Sequence, residues 1–390
     1  MSEWKKYKLD DVAQVQTGPF GSQLHQRDYK LKGTPIITVE HLGENKIIHN
    51  NLPLVSDEDK ERLSKYILKE GDIVFSRVGS VDRRAYVYSK EGGWLFSGRC
   101  LRVRANKKIV DPRYLSYYFG LESFKEHIRM IAVGATMPSI NTEILSGVAL
   151  ILPDLEEQKS IASILSSLDD KIDLLHRQNK TLEALVETLF RQWFVEEAEE
   201  SLETKALEKL IMFDPREKVS NNIEHSFFDM KCLSESSMAI AEGIKRTVNS
   251  GSSFRNGDTL LAKITPCLEN GKIGFVMNLE KDEIARGSTE FIVMRANDGV
   301  SPYFVYCLAR YMDFRNTAIL SMTGTSGRQR VQTSVLKNYE IKYSKELMER
   351  FHQISHPNFI KTRANQIQIR TLTRLRDTLL PKLMSGEVRV

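Results

Sequence analysis

The chain has 390 residues, 27% of them charged and 41% hydrophobic, with a formal net charge of +5. That length has room for two or three domains, each able to bury a core, and the mild positive charge is compatible with nucleic acid without requiring it. No apolar run approaches the roughly 20 residues that cross a bilayer, and the opening MSEWKKYKLDD lacks a signal-peptide core. The four cysteines, Cys100, Cys232, Cys267 and Cys307, show no CxxC spacing, so neither a zinc site nor a disulfide framework is suggested and a cytoplasmic location with reduced thiols is expected.

The first segment, 1–153, reads as a mixed α/β domain. An exposed turn is expected at Thr17–Gln23, and strands at 35–39, 72–75 and 100–103. The string EGDIVFSRVG, 70–79, predicts a Gly-Asp turn feeding a strand that ends at Arg77. A helix is predicted from Pro112 to Glu126, with Tyr117 and Tyr118 assigned to the core. The donor-rich stretch 134–141 follows.

A central helix is predicted over 154–198. Asp154 is a good N-cap, and Glu157 stands where a capping box needs it. The same Pro153-Asp154 and Glu157-Gln158-Lys159 superficially match a nuclease PD…ExK signature. The spacing is too short for two strands converging on one metal, so the cap is the preferred reading. Two apolar rows then run at heptad spacing: Ile161, Leu168, Leu175, Leu182 and Leu189 at d, and Leu165, Ile172, Asn179, Val186 and Trp193 at a. Such a rod, roughly 65 Å long at 1.5 Å per residue, needs a partner helix. His176 is assigned to solvent or helix packing.

The second segment, 199–344, repeats the first. NGDTLLAKIT, 256–265, matches the earlier Gly-Asp string and puts Lys263 where Arg77 stands. A strand is expected at 291–294, a helix from Pro302 to Arg315, and a loop at 324–332. The final segment, 345–390, carries a second, weaker helix, in which Pro357 either kinks the helix or marks its start. Sliding the chain over itself by about 190 positions matches Ile161 to Phe351, Ile164 to Ile354, Leu182 to Leu372 and Leu189 to Leu379, and one long period of this kind signals duplication of a domain.

The fold class is therefore two α/β (α+β) domains joined by two long antiparallel coiled-coil helices, with pseudo-twofold internal duplication. The antiparallel register sets Ile161 against Leu383, Leu165 against Leu379, Leu175 against Ile369, Trp193 against Phe351, and Asn179 against Asn365. The two Asn side chains should hydrogen-bond and fix the register. Leu168 against Arg376 and Val186 against Asn358 are the mismatches. Catalytic motifs are absent: the chain has no GxxxxGK[ST] phosphate loop, no HExxH and no Pro-Pro pair of an Asn-Pro-Pro-Tyr methyltransferase motif.

The chain resembles the specificity subunits of type I restriction–modification systems. The resemblance rests on the globule–helix duplication, on WKKYKLDDVAQVQTG, on PDLEEQKSIASILSSLDDKID and on the closing RTLTRLRDTLLPKLMSGEV. It implies two target recognition domains, each reading half of a split site in double-stranded DNA, and no catalysis in this chain. It also implies methyltransferase subunits, two of them expected, that bring S-adenosylmethionine, and restriction subunits that bring ATP and Mg, with no membrane partner. Base contacts are expected from Arg77, Arg83 and Arg84, from Thr136, Ser139 and Asn141, and from Lys263, Arg328, Gln329 and Arg330, because these side chains match major-groove donors and acceptors. A solvated surface or phosphate contact competes with base contact at every one of these residues. The alternatives are a non-DNA coiled-coil scaffold and the recognition half of a fused restriction–modification enzyme.

Overall fold

The computed structural model describes residues 4–197, 200–218, 223–325 and 327–390. The side chains of Ser22 and Gln26, in and beside the expected first turn, lie outside the described residues. So do Ser326 of the 324–332 loop and residues 198–199 at the end of the expected central helix. The chain divides into two compact units, Met1–Lys171 with Leu372–Val390, and Ile172–Thr371. Each unit thus combines one globular segment with part of both long helices.

In the first unit, a four-stranded antiparallel sheet has the order Ala13–Thr17, Cys100–Ala105, Asp72–Ser76, Arg84–Tyr86. Asp72–Ser76 is buried along its whole length, which its run of Ile73, Val74 and Phe75 requires. A smaller sheet joins Leu54–Val55, Thr34–Ile37 and Leu95–Phe96, the last two in parallel. A ribbon of Lys5–Lys8 with Ala149–Leu152 closes the domain just before the central helix begins.

The second unit repeats this plan. Its main sheet runs Ile211–Phe213, Phe291–Ala296, Thr259–Ala262, Ile273–Phe275, in the corresponding order. Its second sheet again contains one parallel pair, Glu224–Phe228 with Ala285–Gly287. Glu203–Ala206 with Glu340–Tyr343 makes the closing ribbon.

The Gly-Asp turns explain why the repeat is so legible at 70–79 and 256–265. Gly71 and Gly257 take φ of 92° and 93°, a conformation open to glycine at no steric cost. The Asp that follows then accepts the backbone N–H three residues back, Lys69 to Asp72 at 2.8 Å and Arg255 to Asp258 at 2.9 Å. Each Asp also holds an arginine of the neighbouring strand by two bonds, Arg104 on Asp72 and Arg295 on Asp258. A buried carboxylate needs such compensation.

The two expected domain helices are each broken in two. Pro112–Tyr118 is separated from Glu122–Ile131 around Gly120, and Pro302–Arg310 from Met312–Leu320 at Tyr311, whose ψ of 131° is extended. The break lets both segments pack on one core. Phe119 and Phe124 meet Phe75 in the first unit, and Phe304, Leu308 and Phe314 join Ile292 and Met294 in the second.

The central helix is Leu155–Arg191, continued by a π-helical turn, Gln192–Glu196, closed by Glu197 N–H donating to Gln192 O at 2.8 Å. Asp154 caps it, accepting Glu157 N–H at 2.9 Å. The C-terminal helix is Lys345–Met384 and runs through Pro357, so the proline is not the helix start. Proline removes the donor that would serve Gln353 four residues back. Gln353 is exposed, so water can take that role. Along the seam of the first unit, Ile161, Leu165, Leu383 and the half-buried Leu379 share one core. In the second unit Trp193 and Phe351 meet edge-on at 6.5 Å, and Asn365 Nδ2 donates to Asn179 Oδ1 at 2.8 Å with both residues buried. At the expected mismatch, Arg376 ion-pairs with Asp169, the neighbour of Leu168, at 2.8 Å.

Candidate nucleic-acid interface

Beyond the end of Asp72–Ser76 the chain turns sharply. Ser76 Oγ donates to Val78 O at 2.9 Å, and Arg77 N–H donates to Arg99 O at 2.8 Å. Ile140 N–H reaches Arg77 O at 3.0 Å and Gly79 N–H reaches Pro138 O at 2.8 Å, so the loop carrying Arg77 and the loop carrying Thr136 and Ser139 are stitched together. The Arg77 guanidinium is half-buried. It donates to Gly98 O at 3.3 Å and Thr17 Oγ1 at 3.4 Å and lies 5.8 Å from the centre of the exposed Phe20 ring. The Thr17 turn is pressed against this edge: a Cβ at Gly18 would stand 2.2 Å from Ser97 O. Arg77, Thr17, Thr136 and Ser139 therefore share one end of the first sheet.

The second unit uses the same stitching with different side chains. Lys263 N–H donates to Glu290 O at 2.8 Å, and Val331 N–H donates to Lys263 O at 3.0 Å. This draws Gln329 and Arg330 to Lys263 as Ser139 is drawn to Arg77. Arg330 is exposed and forms a forked pair with Glu290, whose carboxyl is held below its usual range by that bond. Arg328 is exposed and Gln329 half-buried.

Lys263 also lines an open cavity of about 470 Å³, with Arg216, Ser252, Ser253 and Thr289 among its walls. The cavity's two acids are engaged elsewhere. Glu217 pairs with Arg295 at 2.5 Å, and Asp214 accepts Val293 N–H at 2.9 Å. The cavity thus combines two cations with three hydroxyls, a set suited to phosphate oxygens or base edges.

One of the expected contacts is corrected. Arg84 is 5% exposed and donates through Nε to Ser116 O at 2.9 Å. Burial pushes its pKa down to about 10, and a guanidinium enclosed in this way cannot meet DNA. Asn141 is exposed and is the N-cap of Thr142–Ser146, its Oδ1 accepting Ile144 N–H at 2.7 Å, a bond that engages the acceptor but not the Nδ2 donor. Arg83 is half-buried and donates to Leu42 O. Thr136 is exposed and Ser139 half-buried, its Oγ donating to Val133 O at 3.1 Å. Sequence reading passed over Arg216, Ser252, Ser253 and Thr289, which meet beside Lys263 only through tertiary pairing. Among the described residues no group of three or more metal-ligating side chains occurs, and no helix is long and apolar enough to cross a membrane.

Residues 1–184 match the model of the type I restriction modification DNA specificity domain. Over its whole length the chain is similar to a type I restriction enzyme specificity subunit. It is 24% identical over 419 residues to the MjaIX specificity subunit of Methanocaldococcus jannaschii, covering 100% of this chain and 94% of that one. It is 30% identical over 202 residues to the HindI specificity subunit of Haemophilus influenzae, covering 50% of this chain and 42% of the relative. The fold is shared with the crystal structure of the S subunit of a type I restriction–modification system from M. genitalium, at a TM-score of 0.64 and 15% identity, covering 98% and 96% of the two chains.

Proposed function

We propose that this chain is a specificity subunit of a type I restriction–modification system and reads an asymmetric, bipartite site in double-stranded DNA, one half with each sheet end. The observation that carries the reading is the repeated stitching of two loops around Arg77 and around Lys263. A backbone frame duplicated in this way presents two homologous surfaces. Their side chains differ, Arg77 with Thr136 and Ser139 against Lys263 with Arg216, Arg328 and Gln329, so the two half-sites should differ in sequence. The long helices then act as the ruler between them. The chain itself supplies no catalysis. Methyltransferase subunits, expected as a pair, bring S-adenosylmethionine, and restriction subunits bring ATP and Mg.

The test is equilibrium binding of the chain assembled with its methyltransferase subunits, with the cognate duplex competing against a scrambled one. Selective retention on the cognate duplex is expected, with Arg77→Ala and Lys263→Ala each weakening it. Equal retention on both duplexes overturns the reading and favours a protein scaffold.

A further inference from the structure

We propose that Tyr117 and Tyr306 are positioning residues, each anchoring its own recognition domain to a buried carboxylate of the central helix and thereby governing the fidelity at one half-site. The inference rests on the two-half-site reading above. Tyr117 lies on Pro112–Tyr118 and Tyr306 on Pro302–Arg310, equivalent helices of the duplication. Tyr117 OH donates to Asp169 Oδ2 at 2.5 Å, and Tyr306 OH donates to Glu183 Oε2 at 3.3 Å. All four residues are buried.

Neither the tyrosine nor its acceptor sits at matched positions of the duplication: at the offset that pairs Pro112 with Pro302, Tyr117 meets Cys307 and Tyr306 meets Ser116. At the offset that matches Ile161 to Phe351, the counterpart of Asp169 is Phe359, on the C-terminal helix. Phe359 does pack edge-on against Tyr306 at 5.7 Å, but a phenyl ring offers the phenol no carboxylate oxygen. Glu183, whose own counterpart is Thr373, supplies the acceptor instead. Both domains are therefore keyed to the same helix, at positions two heptads apart. A leftover of duplication would have keyed one domain to each helix. A buried phenol without an acceptor is costly, which accounts for an acceptor in each unit but not for the choice of one helix.

The surrounding bonds make the claim testable without loss of fold. Asp169 also accepts Arg376 Nη1 at 2.8 Å, and Glu183 also accepts Met238 N–H at 2.8 Å. Tyr→Phe substitution removes one donor and leaves each carboxylate another. The assembled complex, with S-adenosylmethionine, would be given a duplex library carrying single substitutions throughout both half-sites. Tyr306→Phe should relax discrimination on the order of tenfold at the second domain's half-site, the worth of one hydrogen bond, and leave the other half unchanged. Tyr117→Phe should do the reverse. Glu183→Gln keeps an acceptor for both donors and should read as wild type. A selective wild type whose two Tyr→Phe variants keep full discrimination, or lose it equally at both halves, overturns the positioning claim alone. A wild-type complex that methylates without regard to sequence overturns the specificity reading itself.

Discussion

Glu183→Gln should stabilise the second unit at neutral and alkaline pH. Burial pushes the Glu183 carboxyl up to about 7, helped by the neighbouring Glu187 and opposed by the bonds from Met238 N–H and Tyr306 OH and by the charge of Arg310. The raised value means that the folded chain binds this proton more tightly than the unfolded chain does. The contribution to stability is therefore complete below the ordinary carboxylate range, is lost as pH climbs to about 7, and stays lost above that. A rise from 4.5 to about 7 corresponds to about 3 kcal/mol at roughly 1.4 kcal/mol per pKa unit. The glutamine keeps the acceptor oxygen without the charge. Hydrogen exchange of second-unit core peptides under graded urea, measured for both proteins from pH 5 to 8, isolates the difference. The variant should gain steadily from pH 5 to 7 and hold its advantage above. A difference that is flat across this range, or a variant less stable at pH 8, would refute the reasoning.

The remaining predictions concern the seam, the repeated turn and the interface. Asn365→Leu strands the Asn179 amide in a buried position and should cost about 1–3 kcal/mol, whereas the double variant Asn179→Leu/Asn365→Leu should recover most of that loss in urea melts. Asp258→Asn removes one of the two carboxylates on the half-buried Arg295, which keeps Glu217, and should cost about 1–3 kcal/mol, read in the same melts. Arg77→Ala and Lys263→Ala, if their contacts are to phosphate, should each lower the slope of log K against log salt by about one. If a contact is to guanine, the loss should instead be about 1–3 kcal/mol of discrimination at one base pair.

What could be read from the sequence was local or periodic. The Gly-Asp turns announce themselves because a left-handed glycine and a capping carboxylate are adjacent in the chain. The heptad rows fixed a register in which two asparagines coincide, and Asn179 and Asn365 do bond. The mismatch at Leu168 concealed an ion pair, because Asp169 stands one residue off the seam rows and is drawn to Arg376 by the domain packed over it. Arg84 looked like a surface cation, since nothing local marks a strand that will be covered by Ser116 and its helix. Tyr117 was legible as core, but the destination of its hydroxyl was not. The cavity beside Lys263 draws on residues from 214 to 293, and only strand order brings these together. Strand order is set by pairings distant in sequence, and the breaks at Gly120 and Tyr311 by what the helices must pack against.

The central claim is that two separate heads read two separate half-sites. It is tested most directly by replacing residues 1–153 with the corresponding segment of a relative of different specificity and mapping the methylated sequence made by the assembled complex. One half of the recognised sequence should change while the other half and the gap between them stay as they were. A change in both halves together, or in neither, would contradict the account.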